Sequence, residues 1–127
     1  MLRFLGGLVV VLAACGGDDG GGPADAPNEG SANTVAEVNP CPATPDAIVT
    51  TENTSFAYMP MATTITQGQV VQFVMSSDHD VAPNTQVTTD GGLRVGFGAT
   101  KCLRFTATGT FGYKCTPHGF AGTVTVN

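Results

Sequence analysis

From Cys41 onward the sequence predicts an all-β domain, and three observations carry this prediction. The apolar residues of this region show no sustained helical period of 3.6 residues. They fall instead in short runs rich in Val, Ile, Thr and Phe, which is the composition of strands. Glycine-containing pairs such as Gln67-Gly68 and Thr108-Gly109 separate these runs as turns. The 127 residues suffice for one small domain and not for two.

Several segments have the composition and spacing of strands, and Thr85–Thr88 is the weakest of them. The expected strands are Ala47–Thr51, Ala62–Thr66, Gln69–Met75, Thr85–Thr88, Lys101–Thr106, Thr110–Cys115 and Thr123–Val126. A further turn is expected at Asp90-Gly91-Gly92. This pattern fits a β-sandwich of about seven or eight strands.

The strand Thr110–Cys115 has two different faces, because successive side chains of a strand point to opposite sides. Phe111, Tyr113 and Cys115 share one side, and the two aromatic residues mark that side as the core. Cys115 is therefore expected to point inward at one end of the sandwich.

The first residues of the chain have the features of a secretory signal, predicted to span residues 1–14. Arg3 supplies a positive charge, and a run of small and apolar residues follows it. This run is shorter than the ~20 apolar residues of a permanent membrane helix. It ends in Leu12-Ala13-Ala14-Cys15, which resembles the lipobox of bacterial lipoproteins, so Cys15 is the expected lipidation site. The alternative is an ordinary secreted protein that is cleaved nearby.

Residues 15–40 are predicted to form a flexible, acidic tether, because they contain no aromatic residue and almost no large apolar one. The whole chain has a formal charge of −5, but residues 41–127 carry five acidic and four basic side chains. The domain itself is thus close to neutral. This balance predicts neither strong electrostatic steering nor a nucleic-acid partner.

The four cysteines give a first functional clue. If Cys15 carries lipid, three cysteines remain in an oxidising compartment. The simplest arrangement of these three is one disulfide and one free thiol with a separate function. Alternation along the strand Lys101–Thr106 puts Cys102 on the outer side, where a bridge to Cys41 would contribute about 3 to 5 kcal/mol. The alternative is a bridge that includes Cys115 and leaves an outward thiol free.

The segment from Gly109 to Val124 carries the most specific motif. It contains a strand, a tight Cys115-Thr116-Pro117-His118 loop and a final strand, and Asp78-His79-Asp80-Val81 lies well upstream. This pattern resembles the cupredoxin family, particularly its plastocyanin-like and amicyanin-like members. Tyr58-Met59-Pro60-Met61 also looks like a family motif, and the resemblance covers residues 45–127. It implies a Greek-key β-sandwich for the copper domain, residues 41–127.

By this resemblance, His79, Cys115 and His118 hold one copper ion. A thiolate and two imidazoles suit both Cu(I) and Cu(II), because soft sulfur favours the reduced ion and imidazole serves either. A Cys-His-His set can also bind zinc, but neither a general base nor a fourth protein ligand is evident. The resemblance further implies that Asp80 bonds to the backbone or the hydroxyl of Thr116 and keeps the thiolate oriented.

The sequence departs from the family pattern at one ligand position. Family members usually carry an axial methionine a few residues after the loop histidine, and Ala121, a non-ligand, stands at the corresponding place. Three outcomes are open: a three-coordinate copper with a raised reduction potential, a water in the gap, or a sulfur from Met59 or Met61. The backbone carbonyl of Asp78 is a further weak donor.

Electron exchange in this family generally runs through the exposed edge of the loop histidine. Pro117, Gly119 and Phe120 flank His118 and form an apolar rim. Such a rim predicts brief docking of a redox partner, such as a cytochrome or a copper enzyme, with little salt dependence. The alternative for Phe120 is that its ring packs in the core.

The sequence therefore predicts an electron carrier rather than an enzyme. We expect a monomer that is lipid-anchored in the cell envelope, either in the periplasm or at the outer face of a membrane. Copper acquisition, storage or delivery is one alternative, and an interaction domain with an incidental metal is another. A multicopper oxidase or nitrite reductase is not expected, since two histidines leave none for additional copper sites.

Overall fold

The computed structural model describes residues 33–127, so the predicted signal peptide (residues 1–14) and Cys15 lie outside it. Eight strands are present in these residues: β1 (Val35–Val38), β2 (Ala47–Thr50), β3 (Ala62–Ile65), β4 (Val70–Val74), β5 (Ala82–Pro83), β6 (Thr100–Phe105), β7 (Gly109–Lys114) and β8 (Ala121–Val126). No helix of this region is long and apolar enough to cross a membrane. The predicted all-β class is confirmed.

The strands form two four-stranded sheets, with the orders β1-β6-β4-β2 and β3-β8-β7-β5. In the first sheet, β6 is antiparallel to β1 and β4, and β2 runs parallel to β4. In the second sheet, β7 is antiparallel to β5 and β8, and β3 runs parallel to β8. Both sheets are therefore mixed.

The core lies between the two sheets and is built from alternating side chains of their strands. Its largest fully buried apolar side chains come from both sheets and from two loops: Phe73, Phe105, Leu103, Tyr113, Tyr58 and Leu93. Along β7, Phe111 and Tyr113 are buried, and Cys115, the next residue of the same parity, is fully buried at the end of the strand. The predicted inward face of this strand is confirmed.

A disulfide joins Cys41 to Cys102, as predicted, with the two Cα atoms 5.4 Å apart. Cys102 lies on the outer side of β6, as predicted, because it is not part of the core cluster that contains Leu103 and Phe105, but its side chain is fully buried there. Strand β6 lies between β1 and β4, and Cys102 pairs with Val38 on one side and with Gln72 on the other. The bridge to Cys41 covers Cys102, whereas Arg104 on the same side of β6 is exposed.

The folded region begins before Cys41, so the end of the predicted tether at residue 40 was placed too late. Strand β1 pairs with β6 along its whole length, and Val35 is buried. The carboxylate of Asp90 accepts hydrogen bonds from the Thr34 amide (2.6 Å), the Thr34 hydroxyl (2.9 Å) and the Val35 amide (3.2 Å). A buried carboxylate thus fixes the start of a strand that is too short to be recognised by composition.

The weak strand predicted at Thr85–Thr88 is wrong. The amides of Val87 and Thr88 both donate to the carbonyl of Asn84, so these residues form a turn. The strand of this region is the two-residue β5, which pairs with the end of β7.

Candidate metal centre

The three predicted donors meet at one end of the sandwich. Strand β7 runs directly into Cys115, and His118 lies in the loop between β7 and β8. His79 belongs to the loop that connects β4 to β5, and Ala82 of β5 pairs with Lys114, the last residue of β7. This pairing brings the chain around His79 beside the loop that carries the other two donors.

The donor atoms are close enough to share one metal ion. The Sγ atom of Cys115 lies 3.6 Å from Nδ1 of His79 and 3.6 Å from Nδ1 of His118. The ligand atoms of all three residues lie within 4.8 Å of one another. Cys115 and His79 are buried, whereas His118 is exposed. Among residues 33–127, no fourth histidine, cysteine or carboxylate joins this group.

A backbone carbonyl fixes the orientation and the tautomer of His79. The Nε2 atom of this ring lies 3.0 Å from the carbonyl oxygen of Glu52. A carbonyl only accepts hydrogen bonds, so Nε2 carries the hydrogen, and in the neutral ring Nδ1 is left with its lone pair. The hydrogen bond therefore prepares the nitrogen that faces Cys115 for metal coordination.

The loop between β7 and β8 is closed by its own backbone. The Gly119 amide donates to the Cys115 carbonyl at 2.8 Å, and the Cys115 amide donates to the Phe120 carbonyl at 3.0 Å. Gly119 has a φ of 78°, in the left-handed region that glycine adopts without a steric penalty. The short loop thereby holds His118 and Cys115 at a fixed separation.

Asp80 connects the two loops that carry the donors. One carboxylate oxygen accepts the Thr116 amide at 2.8 Å, and the other accepts the Thr116 hydroxyl at 2.9 Å. Both hydrogen bonds that the sequence suggested for this pair are therefore present. The backbone carbonyl of Asp80 in turn accepts the buried hydroxyl of Tyr58 at 2.6 Å. Residues next to His79 and next to Cys115 are thus tied to each other and to the core.

The rings of Phe56 and Phe120 lie against the imidazole rings of the two donor histidines, and Phe56 was not predicted from the sequence. Phe56 is 65% exposed, yet its ring stacks on that of His118 with a centroid distance of 4.6 Å and an angle of 17°. Phe120 is only half-buried, and its ring meets that of His79 edge to face at 4.9 Å. Phe56 lies in a loop and not in a strand, so no periodic pattern pointed to it.

The predicted docking rim is partly exposed in the structure. Pro117, His118 and Gly119 are exposed, whereas the half-buried Phe120 also packs against the core. Both interpretations of Phe120 therefore apply in part. Phe56 adds an apolar surface beside His118 that was not predicted from the sequence.

The expectation that the missing axial position faces Ala121 was wrong. Ala121 is the first residue of β8, pairs with Lys114 and is exposed. It lines a groove of about 210 Å³ together with Met61, Ala62, Asn84, Gly122 and Thr123, and none of the three donors lines that groove. Strand β8 begins two residues earlier than predicted, so its alternation turns Ala121 away from the donors.

The other suggested axial donors lie on the surface of this end. Met61 is 62% exposed in the groove described above, and Met59 is 40% exposed and pairs through its backbone with Thr50. Asp78 is exposed, and its amide donates to the Asn53 side chain at 3.0 Å. None of these contacts directs a donor toward Cys115.

Two buried tyrosines stay uncharged behind the donors. Burial raises the pKa of Tyr58 well above its usual range, and the charge of the Cys115 thiolate raises it further. Burial alone raises the pKa of Tyr113. The Tyr113 hydroxyl has no hydrogen-bond partner among the described residues, and a Cβ at Gly122 would lie 2.7 Å from its ring. Gly122 is therefore required for Tyr113 to occupy this place.

Comparison with solved structures places this architecture among known folds. Amicyanin from Paracoccus versutus matches with a TM-score of 0.58 and 24% identity over 75% of this chain and 99% of the matched chain. Pseudoazurin from Methylobacterium extorquens matches with a TM-score of 0.56 and 24% identity, over 65% of this chain and 76% of its own. Pseudoazurin from Hyphomicrobium denitrificans matches with a TM-score of 0.54 and 22% identity, over 64% of this chain and 74% of its own.

Two further matched structures are Cu(I) forms of amicyanin mutants. No protein-family model matches the sequence, and no curated protein matches it. Amicyanin and pseudoazurin are both cupredoxins. The chain therefore has the cupredoxin fold.

Proposed function

We propose that this protein is a mononuclear copper protein that carries single electrons and is not itself a catalyst. The observation that carries the proposal is the convergence of one thiol and two Nδ1 atoms within 4.8 Å at one end of a cupredoxin-fold sandwich. His79, Cys115 and His118 would hold the ion. Bound copper would supply a one-electron couple between Cu(I) and Cu(II).

The donor set fits copper by its chemistry and by its rigidity. A soft thiolate and two imidazoles serve both oxidation states of copper. His79 is held by the Glu52 carbonyl, and the Cys115 loop is held by Asp80, so both ligands are oriented before any metal arrives. A site that moves little between two oxidation states favours fast electron transfer, because little reorganisation is needed.

The exposed ring of His118 supports an exit for the electron at this end of the molecule. Cys115 and His79 are buried, so His118 and the stacked ring of Phe56 are the groups through which a partner would approach the metal. The near-neutral charge of residues 41–127 favours contact through apolar surface over long-range attraction. A cytochrome or another copper protein is the kind of partner that we expect.

The proposed location is the cell envelope, with the protein anchored by a lipid on Cys15. The predicted signal peptide and the lipobox-like residues before Cys15 support this location. The Cys41–Cys102 disulfide supports it as well, because disulfides persist in oxidising compartments.

Copper titration of the purified protein tests the proposal. We expect one Cu(II) per chain and an intense thiolate-to-copper absorption band. Cys115→Ser should lose this band without unfolding. The matched control replaces Cys41 and Cys102 together by Ser, which removes the other cysteines of the domain and should keep the band. A colourless wild-type protein, or a band that survives Cys115→Ser, would contradict the proposal.

Copper storage or delivery is a second candidate, and the small number of protein ligands favours it. The group has three donors, and one of them, His118, is exposed, which would ease release of the ion. Electron self-exchange and copper transfer to a chelator distinguish the two functions. Fast self-exchange with slow release supports the electron carrier, and the reverse supports delivery.

A further inference from the structure

The ring of Phe120 lies beside the donor residues, whereas the side chain of Ala121 points to the outer surface. Along β8, Gly122, Val124 and Val126 are buried, whereas Ala121 is exposed. Phe120 has the same parity as Gly122, and its ring packs against the core rather than into the outer groove. The residue of this loop that faces the donors is therefore Phe120.

Contacts on several sides hold the Phe120 ring in place. Its centroid lies 4.9 Å from that of His79 and 4.8 Å from that of Tyr58, and it lies nearly parallel to the His118 ring at 6.3 Å. The Phe120 carbonyl accepts the Cys115 amide at 3.0 Å. The same hydrogen bond that closes the loop thus keeps the backbone of Phe120 beside that of Cys115.

We propose that Phe120 closes the fourth side of the metal centre, so that the metal has only His79, Cys115 and His118 as protein ligands. This inference rests on the proposed copper function. A phenyl ring offers no donor atom, and in this position it occupies space that a water or a thioether would need. Because a weak fourth donor stabilises Cu(II) more than Cu(I), its absence raises the reduction potential.

A fourth side closed by Phe120 differs from a position that has simply lost its ligand. If the position were merely empty, a small ligand could reach the copper from solvent. With Phe120 in place, that approach is blocked by an apolar ring, and access to the metal is restricted to the His118 side. The centre is then suited to electron transfer and not to binding an added ligand.

Two methionine variants test the inference, and each is the control for the other. In the copper-loaded protein, Phe120→Met introduces a thioether on the donor side, and we expect an altered EPR spectrum and a shift to lower reduction potential. Ala121→Met puts the same side chain into the outer groove, so its spectrum and potential should match those of the wild type. The opposite result, with changes in Ala121→Met only, would overturn the inference.

Azide provides a second test. Azide should leave the spectrum of the wild-type copper protein unchanged and alter that of Phe120→Ala, since truncation opens the blocked side. A wild-type spectrum that responds to azide as strongly as the variant refutes the closure.

A metal-free experiment separates this inference from the proposed function. NMR of the metal-free chain should show Overhauser contacts between the ring protons of Phe120 and His79, and their absence refutes the placement of Phe120. If these contacts are present but the wild type forms no copper–thiolate band, the placement stands, and the copper function fails together with the ligand count that depends on it.

Discussion

Replacement of Asp80 by alanine should weaken both the fold and the metal centre. Its carboxylate accepts two hydrogen bonds from Thr116, at 2.8 and 2.9 Å, and links the loop of His79 to the loop of Cys115. A hydrogen bond to a charged partner contributes about 1.5 to 3 kcal/mol. Thr116 is exposed, so water replaces part of what is lost. We expect a decrease of about 2 to 4 kcal/mol in the free energy of unfolding.

Asp80→Asn is the matched variant that separates geometry from charge. The amide oxygen can accept the Thr116 backbone N–H, and the amide NH₂ can donate to the Thr116 hydroxyl, so both links survive without the negative charge. Neutral hydrogen bonds contribute about 1 kcal/mol each. We therefore expect Asp80→Asn to lose roughly half as much stability as Asp80→Ala.

Urea unfolding of the metal-free protein measures both variants, and the copper absorption band supplies a second measurement. Each 1 kcal/mol lost from the free energy of unfolding should lower the melting temperature by about 4 to 8 °C in a domain of this size. Asp80→Ala should also broaden or shift the band, since Thr116 adjoins Cys115. Equal losses in the two variants, or an Asp80→Ala protein as stable as the wild type, would refute the role of these hydrogen bonds.

Three other predictions concern groups around the core and the surface. Tyr113→Phe should reduce the loss of stability at alkaline pH. Because the pKa of Tyr113 is raised in the folded state, only the unfolded chain loses this proton just above pH 10.0, and the wild-type free energy of unfolding falls there by up to about 1.4 kcal/mol per pH unit. Urea unfolding at several pH values measures this slope, and equal slopes in the variant and the wild type would contradict the prediction. Phe56→Ala should speed diethyl pyrocarbonate modification of His118 in the metal-free protein, because the Phe56 ring stacks on the imidazole. Phe97→Ala, which truncates another exposed phenylalanine, is the control and should leave the rate unchanged. Equal rates in Phe56→Ala and the wild type would show that the stacking does not shield His118. Asp90→Ala should lower the free energy of unfolding by about 2 to 4 kcal/mol and accelerate amide hydrogen exchange in β1, because three hydrogen bonds to the start of this strand are lost. Unchanged exchange would mean that the Asp90 carboxylate does not hold β1.

Much of the fold follows from alternation in strands that have one apolar face. In β7 the aromatic pair Phe111 and Tyr113 identifies the core side, and Cys115 follows at the correct parity. In β6 the same rule puts Leu103 and Phe105 in the core and Cys102 on the other side, where its burial comes from the disulfide that alternation alone does not show. Strand β1 was missed because four residues with two valines have little signal until β6 and Asp90 provide partners.

The candidate site was predicted as far as its chemistry depends on residue type. His79, Cys115 and His118 were identified by their motifs, and the structure brings their donor atoms together. Fine placement depends on register instead: β8 starts at Ala121 rather than Thr123, which turns Ala121 outward. A two-residue error in a strand boundary was enough to hide the role of Phe120.

Strand β1 also sets the direction that the molecule would face on a membrane. Val35 pairs with Phe105 and Val38 with Cys102, so the chain enters the domain at the end of β6 remote from Thr100. Thr100 pairs with Val74, where β4 leads into the loop of His79. A lipid on Cys15, as proposed, would anchor the sandwich at the end opposite the donors and leave the donor end accessible to partners. A force on the tether would then act first on the hydrogen bonds between the Asp90 carboxylate and residues 34 and 35, and not on the loops that hold the metal ligands.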